Sequence, residues 1–96
     1  MSYYFRCWYV RDDMQEALVR YVHDGVPLGD FLTYVVSNDF QGACGRADDE
    51  NLMNLPAFAA YVYNEMPGNS HGSLERYKAW IESVRRGRVK PTVEER

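Results

Sequence analysis

The run from Val26 to Asp39 constrains this chain more than any other stretch. Leu28, Phe31, Leu32, Val35 and Val36 recur at the spacing of one helix face. Pro27 fixes φ just before that face begins. Asn38 and Asp39 follow it, one tolerating positive φ and the other suited to capping the next turn. The spacing predicts a helix over residues 28–38. A helix this apolar on one side must be covered, and three other segments carry stripes that could cover it.

The first runs over about 13–23, with Met14, Ala17, Leu18, Tyr21 and Val22 on one face. Asp13 with Glu16 three residues on reads as a capping box, and Gly25 stands where a left-handed C′ residue is wanted. The second spans about 49–65, capped by Asp48 or Asp49, with Leu52, Leu55, Ala59, Val62, Tyr63 and Met66 as its stripe. Pro56 lies inside it, so this helix either kinks or ends in a turn and restarts. The third runs over about 74–86, capped by Ser73, with Leu74, Tyr77, Trp80, Ile81 and Val84 facing inward and Gly87 as the stop. Between the central helix and the Pro56 helix, residues 40–46 suit a short helix made irregular by Gly42 and Gly45. The expected fold is therefore all-α, a compact bundle of four main helices.

What lies outside the helices is equally uneven. Residues 1–11 are aromatic and β-branched, which favours an extended arm. No second strand is evident to pair with it, so it is expected to lie across the helices or to pair with its copy in a homodimer. Residues 88–96 are polar and are expected to form a flexible basic tail on a single domain of residues 1–96. The aromatic content of 15% gives so short a chain enough bulk for a core.

Catalytic and metal signals are weak. Cys7 and Cys44 are the two cysteines, with no metal-type spacing. Gly42-Ala43-Cys44-Gly45 and His71 offer a thiol and an imidazole, but nothing in the sequence brings them together. His23 suits the C-terminal end of its helix. Asn69, Ser70, Gly72 and Ser73 precede a helix and could cradle an anion, yet no Walker-type lysine follows. The expectation is a protein that is not an enzyme and needs no cofactor or metal. The chain shows no membrane-length apolar run and no signal-peptide pattern, so a cytoplasmic setting in the host cell, with reduced thiols, is expected.

Charge is distributed unevenly. Residues 1–50 hold four Arg and nine Asp or Glu, a net −5, whereas residues 51–96 hold seven Lys or Arg and five Glu, a net +2. The central helix would expose Asp30, Thr33, Tyr34 and Ser37 and carries no basic residue, which argues against a recognition helix and against direct nucleic-acid binding. The basic cluster Arg85, Arg86, Arg88 and Lys90 leaves a nucleic-acid-associated regulator as the rival reading. Protein binding suits the rest. Tyr3, Tyr4, Trp8, Tyr34 and Tyr61 could stand among Asp30, Asp39, Asp48, Asp49 and Glu50, an aromatic and acidic face for a basic surface, including one on a nucleic-acid-binding complex. The same acids also read as helix caps.

Several runs together are similar to a known group: His23-Asp24-Gly25-Val26-Pro27-Leu28-Gly29-Asp30-Phe31-Leu32, Val35-Val36-Ser37-Asn38-Asp39-Phe40, Gly45-Arg46-Ala47-Asp48-Asp49-Glu50-Asn51, Asn54-Leu55-Pro56-Ala57-Phe58 and Tyr61-Val62-Tyr63-Asn64-Glu65-Met66-Pro67. With His71-Gly72-Ser73 and Ala79-Trp80, the chain from Met14 to Trp80 resembles small uncharacterised proteins encoded by tailed bacteriophages and prophages. The resemblance brings no established activity and no site residues. It implies a context, because small phage accessory proteins often act by binding a host or phage protein, including anti-phage defence complexes such as CRISPR–Cas.

Overall fold

The computed structural model describes residues 3–87. Two short strands, β1 (Tyr3–Phe5) and β2 (Trp8–Val10), precede six helices: α1 (Asp12–Asp24), α2 (Asp30–Val36), α3 (Phe40–Arg46), α4 (Asp49–Met53), α5 (Leu55–Glu65) and α6 (Leu74–Arg85). A 3₁₀ turn, Gly68–Ser70, stands between the last two helices.

The chain is mostly helical, but it is not purely all-α. The N-terminal arm pairs with itself as an antiparallel hairpin, with Tyr3 opposite Val10, Tyr4 opposite Tyr9 and Phe5 opposite Trp8. The turn is Arg6-Cys7, and Arg6 takes φ 56. A left-handed arginine is costly, by about 1–2 kcal/mol, so the turn has none of the Asn-Gly chemistry that advertises a hairpin. Packing holds it instead. Val10 is fully buried, and Tyr3 sets its ring edge-on to Tyr61 of α5 at 5.1 Å.

Helix boundaries follow local chemistry. Helix α1 begins at Asp12 behind Arg11, which gives no side-chain cap, so the Asp13–Glu16 capping box does not form. Asp13 sits inside the first turn, where it accepts the Met14 N–H and holds Arg11. Gly25 ends the helix at φ 68. A Cβ there would stand 3.1 Å from the Ile81 carbonyl oxygen, so α6 approaches too closely for a larger residue. The central helix is shorter than its stripe, running only over Asp30–Val36 with Gly29 as N-cap. Asn38 takes φ 62, and Asp39 caps α3 through the Gly42 N–H. Asp48 caps α4 through the Asn51 N–H, and Ser73 caps α6 through the Arg76 N–H.

The segment over 49–65 is two helices. Asn54, at φ −109 and ψ 16, separates α4 from α5, and Pro56 falls in the first turn of α5, where its missing N–H costs nothing. The break resets the helical phase. The buried face of α5 is Ala57, Phe58, Ala60 and Tyr61, not the expected stripe, and Leu52, Ala59 and Tyr63 are exposed.

The core joins all layers: Val10, Leu18, Tyr21, Val22, Phe31, Leu32, Val36, Phe58, Tyr77 and Trp80 are buried together. Three aromatic polar ends fix the helices' relative positions. The Tyr21 hydroxyl donates to the Ser70 carbonyl at 2.6 Å, the Tyr77 hydroxyl accepts the Leu28 N–H at 2.9 Å, and Trp80 Nε1–H donates to the Val22 carbonyl at 3.1 Å. Burial raises the Tyr21 hydroxyl pKa, so it remains a donor throughout the neutral range. The Gly72 N–H reaches the Val36 carbonyl at 2.8 Å, tying the loop before α6 to the end of α2. No helix among the described residues is long and apolar enough to cross a membrane.

Candidate functional site

Helix α5 is apolar on almost every side, and one hydrophobic core cannot cover all of it. Its first side packs on β1, β2 and α2 through Phe58 and Tyr61. Its second side faces a cleft of about 440 Å³ closed on the far side by the end of α2 and by α3. Leu55, Pro56, Ala59, Val62 and Tyr63 form the α5 wall. Tyr34, Val35, Phe40 and Ala43 form the opposite wall, with Phe58 lining the cleft and Asn38, Asp39 and His71 its polar members. Much of the stripe expected to face the core is thus the wall of an open cleft.

Two large aromatics are left in water beside it. Phe40 is 72% exposed and Tyr63 83%. Single exposed apolar residues are ordinary, but these two line the same apolar cleft. The α2–α3 wall is held in shape by Tyr34 lying on Gly42. A Cβ on Gly42 would come within 2.7 Å of Tyr34 Cε1 and 2.8 Å of Cγ, so only glycine lets the ring lie there. Phe31 meets Phe58 edge-on at 5.1 Å under the cleft floor. His71 is half-buried, and its burial, with Arg76 nearby, lowers the imidazole pKa from 6.5, so it is mainly neutral at pH 7. Among the described residues that line the cleft, Asp39 is the one formal charge. Its carboxylate caps α3 and enters no ion pair within the described residues.

The acidic residues expected to form a binding face are placed differently from one another. Asp48 and Glu50 are committed internally: Arg11 reaches Glu50 Oε1 at 2.8 Å, Asp48 Oδ2 at 3.2 Å and Asp13 Oδ1 at 2.7 Å. The Tyr9 hydroxyl also donates to Glu50. These bonds shift the groups in the expected directions. The Tyr9 hydroxyl and then Arg11 lower the Glu50 pKa, Arg11 lowers that of Asp13, and the Asn51 N–H followed by Arg11 lowers that of Asp48. Hydrogen bonds to Asp13 and Glu50 raise that of Arg11. This cluster fastens the hairpin to α4, with the single Arg11 guanidinium shared among three carboxylates, so it keeps a net negative charge. Beside it, buried Asn54 accepts the Tyr9 N–H at 2.9 Å and donates to the Glu50 carbonyl at 2.8 Å. Asp30 is exposed and lies 3.7 Å from Arg46, and Asp49 is exposed in the first turn of α4.

The aromatics separate in the same way. Tyr61 is a core residue with 7% exposure rather than a surface one, because the hairpin covers it, and burial raises its pKa. Tyr3 and Trp8 are half-buried, Trp8 stacking on Phe5, whereas Tyr4 is exposed. Only Tyr34 and Asp39, of the ten expected partner-binding residues, line the cleft. Arg85 and Arg86 are exposed at the end of α6, with Arg86 paired to Glu82, while Arg88, Lys90 and the rest of the tail over 88–96 lie outside the described residues.

The other candidate groups lie apart from one another or bond locally. Cys44 is half-buried in α3 and does not line the cleft that holds His71, and no cluster of metal-ligating groups occurs among the described residues. The loop before α6 uses its own groups: the Ser70 N–H and hydroxyl bond the Pro67 carbonyl, and the Gly72 N–H bonds Val36. Phe40, Ala59 and Tyr63 at the cleft were legible only as a short helix's first residue and a presumed core stripe. No protein-family model matches the chain. Comparison with curated proteins and with solved structures finds no match either.

Proposed function

We propose that this chain is a protein-binding accessory protein of the bacteriophage type, acting without catalysis through the cleft between α2, α3 and α5. The observation that carries this reading is the second apolar side of α5, left uncovered and flanked by exposed Phe40 and Tyr63. Burying such aromatics against a partner excludes water from both surfaces, and a few anchors of this kind dominate most interfaces. Arg11 offsets only part of the charge of Asp13, Asp48 and Glu50, so the apolar cleft and not the acidic cluster carries this reading. The likeness to phage-encoded proteins makes host defence complexes, CRISPR–Cas among them, the first partners to examine.

Affinity capture from bacterial lysates, with mass-spectrometric identification, tests the reading. Expression in a bacterium whose CRISPR–Cas system restricts a phage tests the defence arm separately, with restored plaque formation expected. Retention of no protein from any lysate, or substrate turnover by the purified chain alone, overturns the binding reading.

A further inference from the structure

The cleft's lining specifies the kind of segment that would occupy it. Helices bound both walls, and neither β1 nor β2 contributes a lining residue, so an extended peptide finds no strand edge to pair with. A volume near 440 Å³ lies toward the small end of the ~300–1,000 Å³ typical of ligand pockets, room for a few apolar side chains. The walls are aliphatic and aromatic from Tyr34 and Val35 across to Ala59 and Val62. Asp39 supplies a negative charge, no Lys or Arg is among the described lining residues, and His71 is mainly neutral at pH 7. An anionic occupant would meet a like charge and no cation, whereas a cationic flank would meet a carboxylate that no ion pair occupies among the described residues.

Resting on the protein-binding reading, we infer that the cleft takes one amphipathic helical segment of a partner protein, with apolar anchors on one face and a lysine or arginine beside them that reaches Asp39. Ala59 and Val62 mark where the anchors sit, and Phe40 and Tyr63 close over the segment's flanks. Charge complementarity selects this occupant over an acidic one. It also separates it from a second copy of the chain, which would meet the cleft under two-fold symmetry and place Asp39 of both copies in the same interface.

The test is selection from a random-peptide library displayed on phage, against the full chain and against two variants. Ala59→Glu places a charge in the apolar wall at an exposed helical position. Asp39→Asn keeps an N-cap acceptor and removes the rim charge. Equal melting temperatures of the three proteins establish that the variants fold. The expected consensus has apolar or aromatic residues at i and i+3 or i+4 with an adjacent Lys or Arg. Ala59→Glu should weaken the selected peptides by at least about tenfold, a loss of about 1.4 kcal/mol. Asp39→Asn should weaken them less and flatten their salt dependence. An acidic consensus, no enriched peptide, or equal affinity for Ala59→Glu overturns the inference. Concentration-dependent dimerisation that Ala59→Glu abolishes assigns the cleft to a second copy and overturns it as well. Capture of a lysate partner that Ala59→Glu leaves unchanged also refutes this occupant while leaving protein binding intact. Capture of nothing refutes the broader reading.

Discussion

Replacing Asn54 with alanine should cost the fold more than any surface analysis would suggest. Asn54 is 3% exposed, and its amide joins two elements distant in sequence, accepting the Tyr9 N–H at 2.9 Å and donating to the Glu50 carbonyl at 2.8 Å. Alanine leaves both backbone groups without this partner. A buried polar group stripped of its partner costs about 1–3 kcal/mol. Tyr9 and Glu50 are only half-buried, so water recovers part of that, and the two losses together come to about 2–3 kcal/mol. For a domain of this size that lowers Tm by roughly 10–20 °C. Urea unfolding followed by circular dichroism measures the loss. Trp8 fluorescence in a Trp80→Phe background reports on the hairpin, and hydrogen exchange at the Tyr9 amide should accelerate. Asn54→Asp keeps an acceptor for Tyr9 but brings a carboxylate toward the Glu50 carbonyl, so it should not rescue. A loss under about 0.5 kcal/mol, the range of ordinary surface substitutions, with Tyr9 still protected, would refute the role given to this residue.

Three further outcomes follow from the geometry. Gly42→Ala should destabilise by up to about 2 kcal/mol, because overpacking against Tyr34 outweighs alanine's helix preference. In a Tyr34→Leu background the same change should become stabilising, and chemical denaturation of the double-mutant set reads the sign. Asp13, Asp48 and Glu50 have folded pKa values lowered by their hydrogen bonds and by Arg11, so their stabilisation is complete above the unfolded values near 4 and is lost as pH falls through the folded ones. Arg11→Gln should flatten the acid limb of a Tm-versus-pH curve, and an unchanged limb contradicts the cluster. His71 has a folded pKa below 6.5, so its neutral form supports the fold above that pH and the support declines as pH falls below it. An NMR titration should place its midpoint under 6.5, and a midpoint above that value contradicts its burial in the cleft.

Much of the fold was legible in the sequence, and the exceptions have common causes. Most caps and stops were readable because they are local: Gly25, Asn38, Asp39, Asp48 and Ser73 each act through backbone groups a few residues away, whereas the Asp13–Glu16 box failed because Arg11 stands at the N-cap of α1. The stripes of α1 and α6 were readable because each has one apolar side, although Leu74 remains exposed. The hairpin was not, since Arg6-Cys7 lacks turn residues and the second strand continues the aromatic run of the first. In α5 nearly every residue from Leu55 to Tyr63 is apolar, so periodicity could not tell the core side from the cleft side, and the restart at Asn54 shifted the phase. The cleft itself draws residues from α2, α3, α5 and the turn at His71, a convergence no local pattern records. Asp48 and Glu50 do lie at the surface, but their shared partner, Arg11, was not legible because it lies far away in sequence.

The claim that the uncovered side of α5 is the binding face meets its most direct test in paired affinity capture with the wild-type chain and Ala59→Glu, after matched melting temperatures establish that both fold. A partner enriched on the wild-type protein should fall at least about tenfold on the variant. Equal recovery of that partner on both proteins would contradict the account.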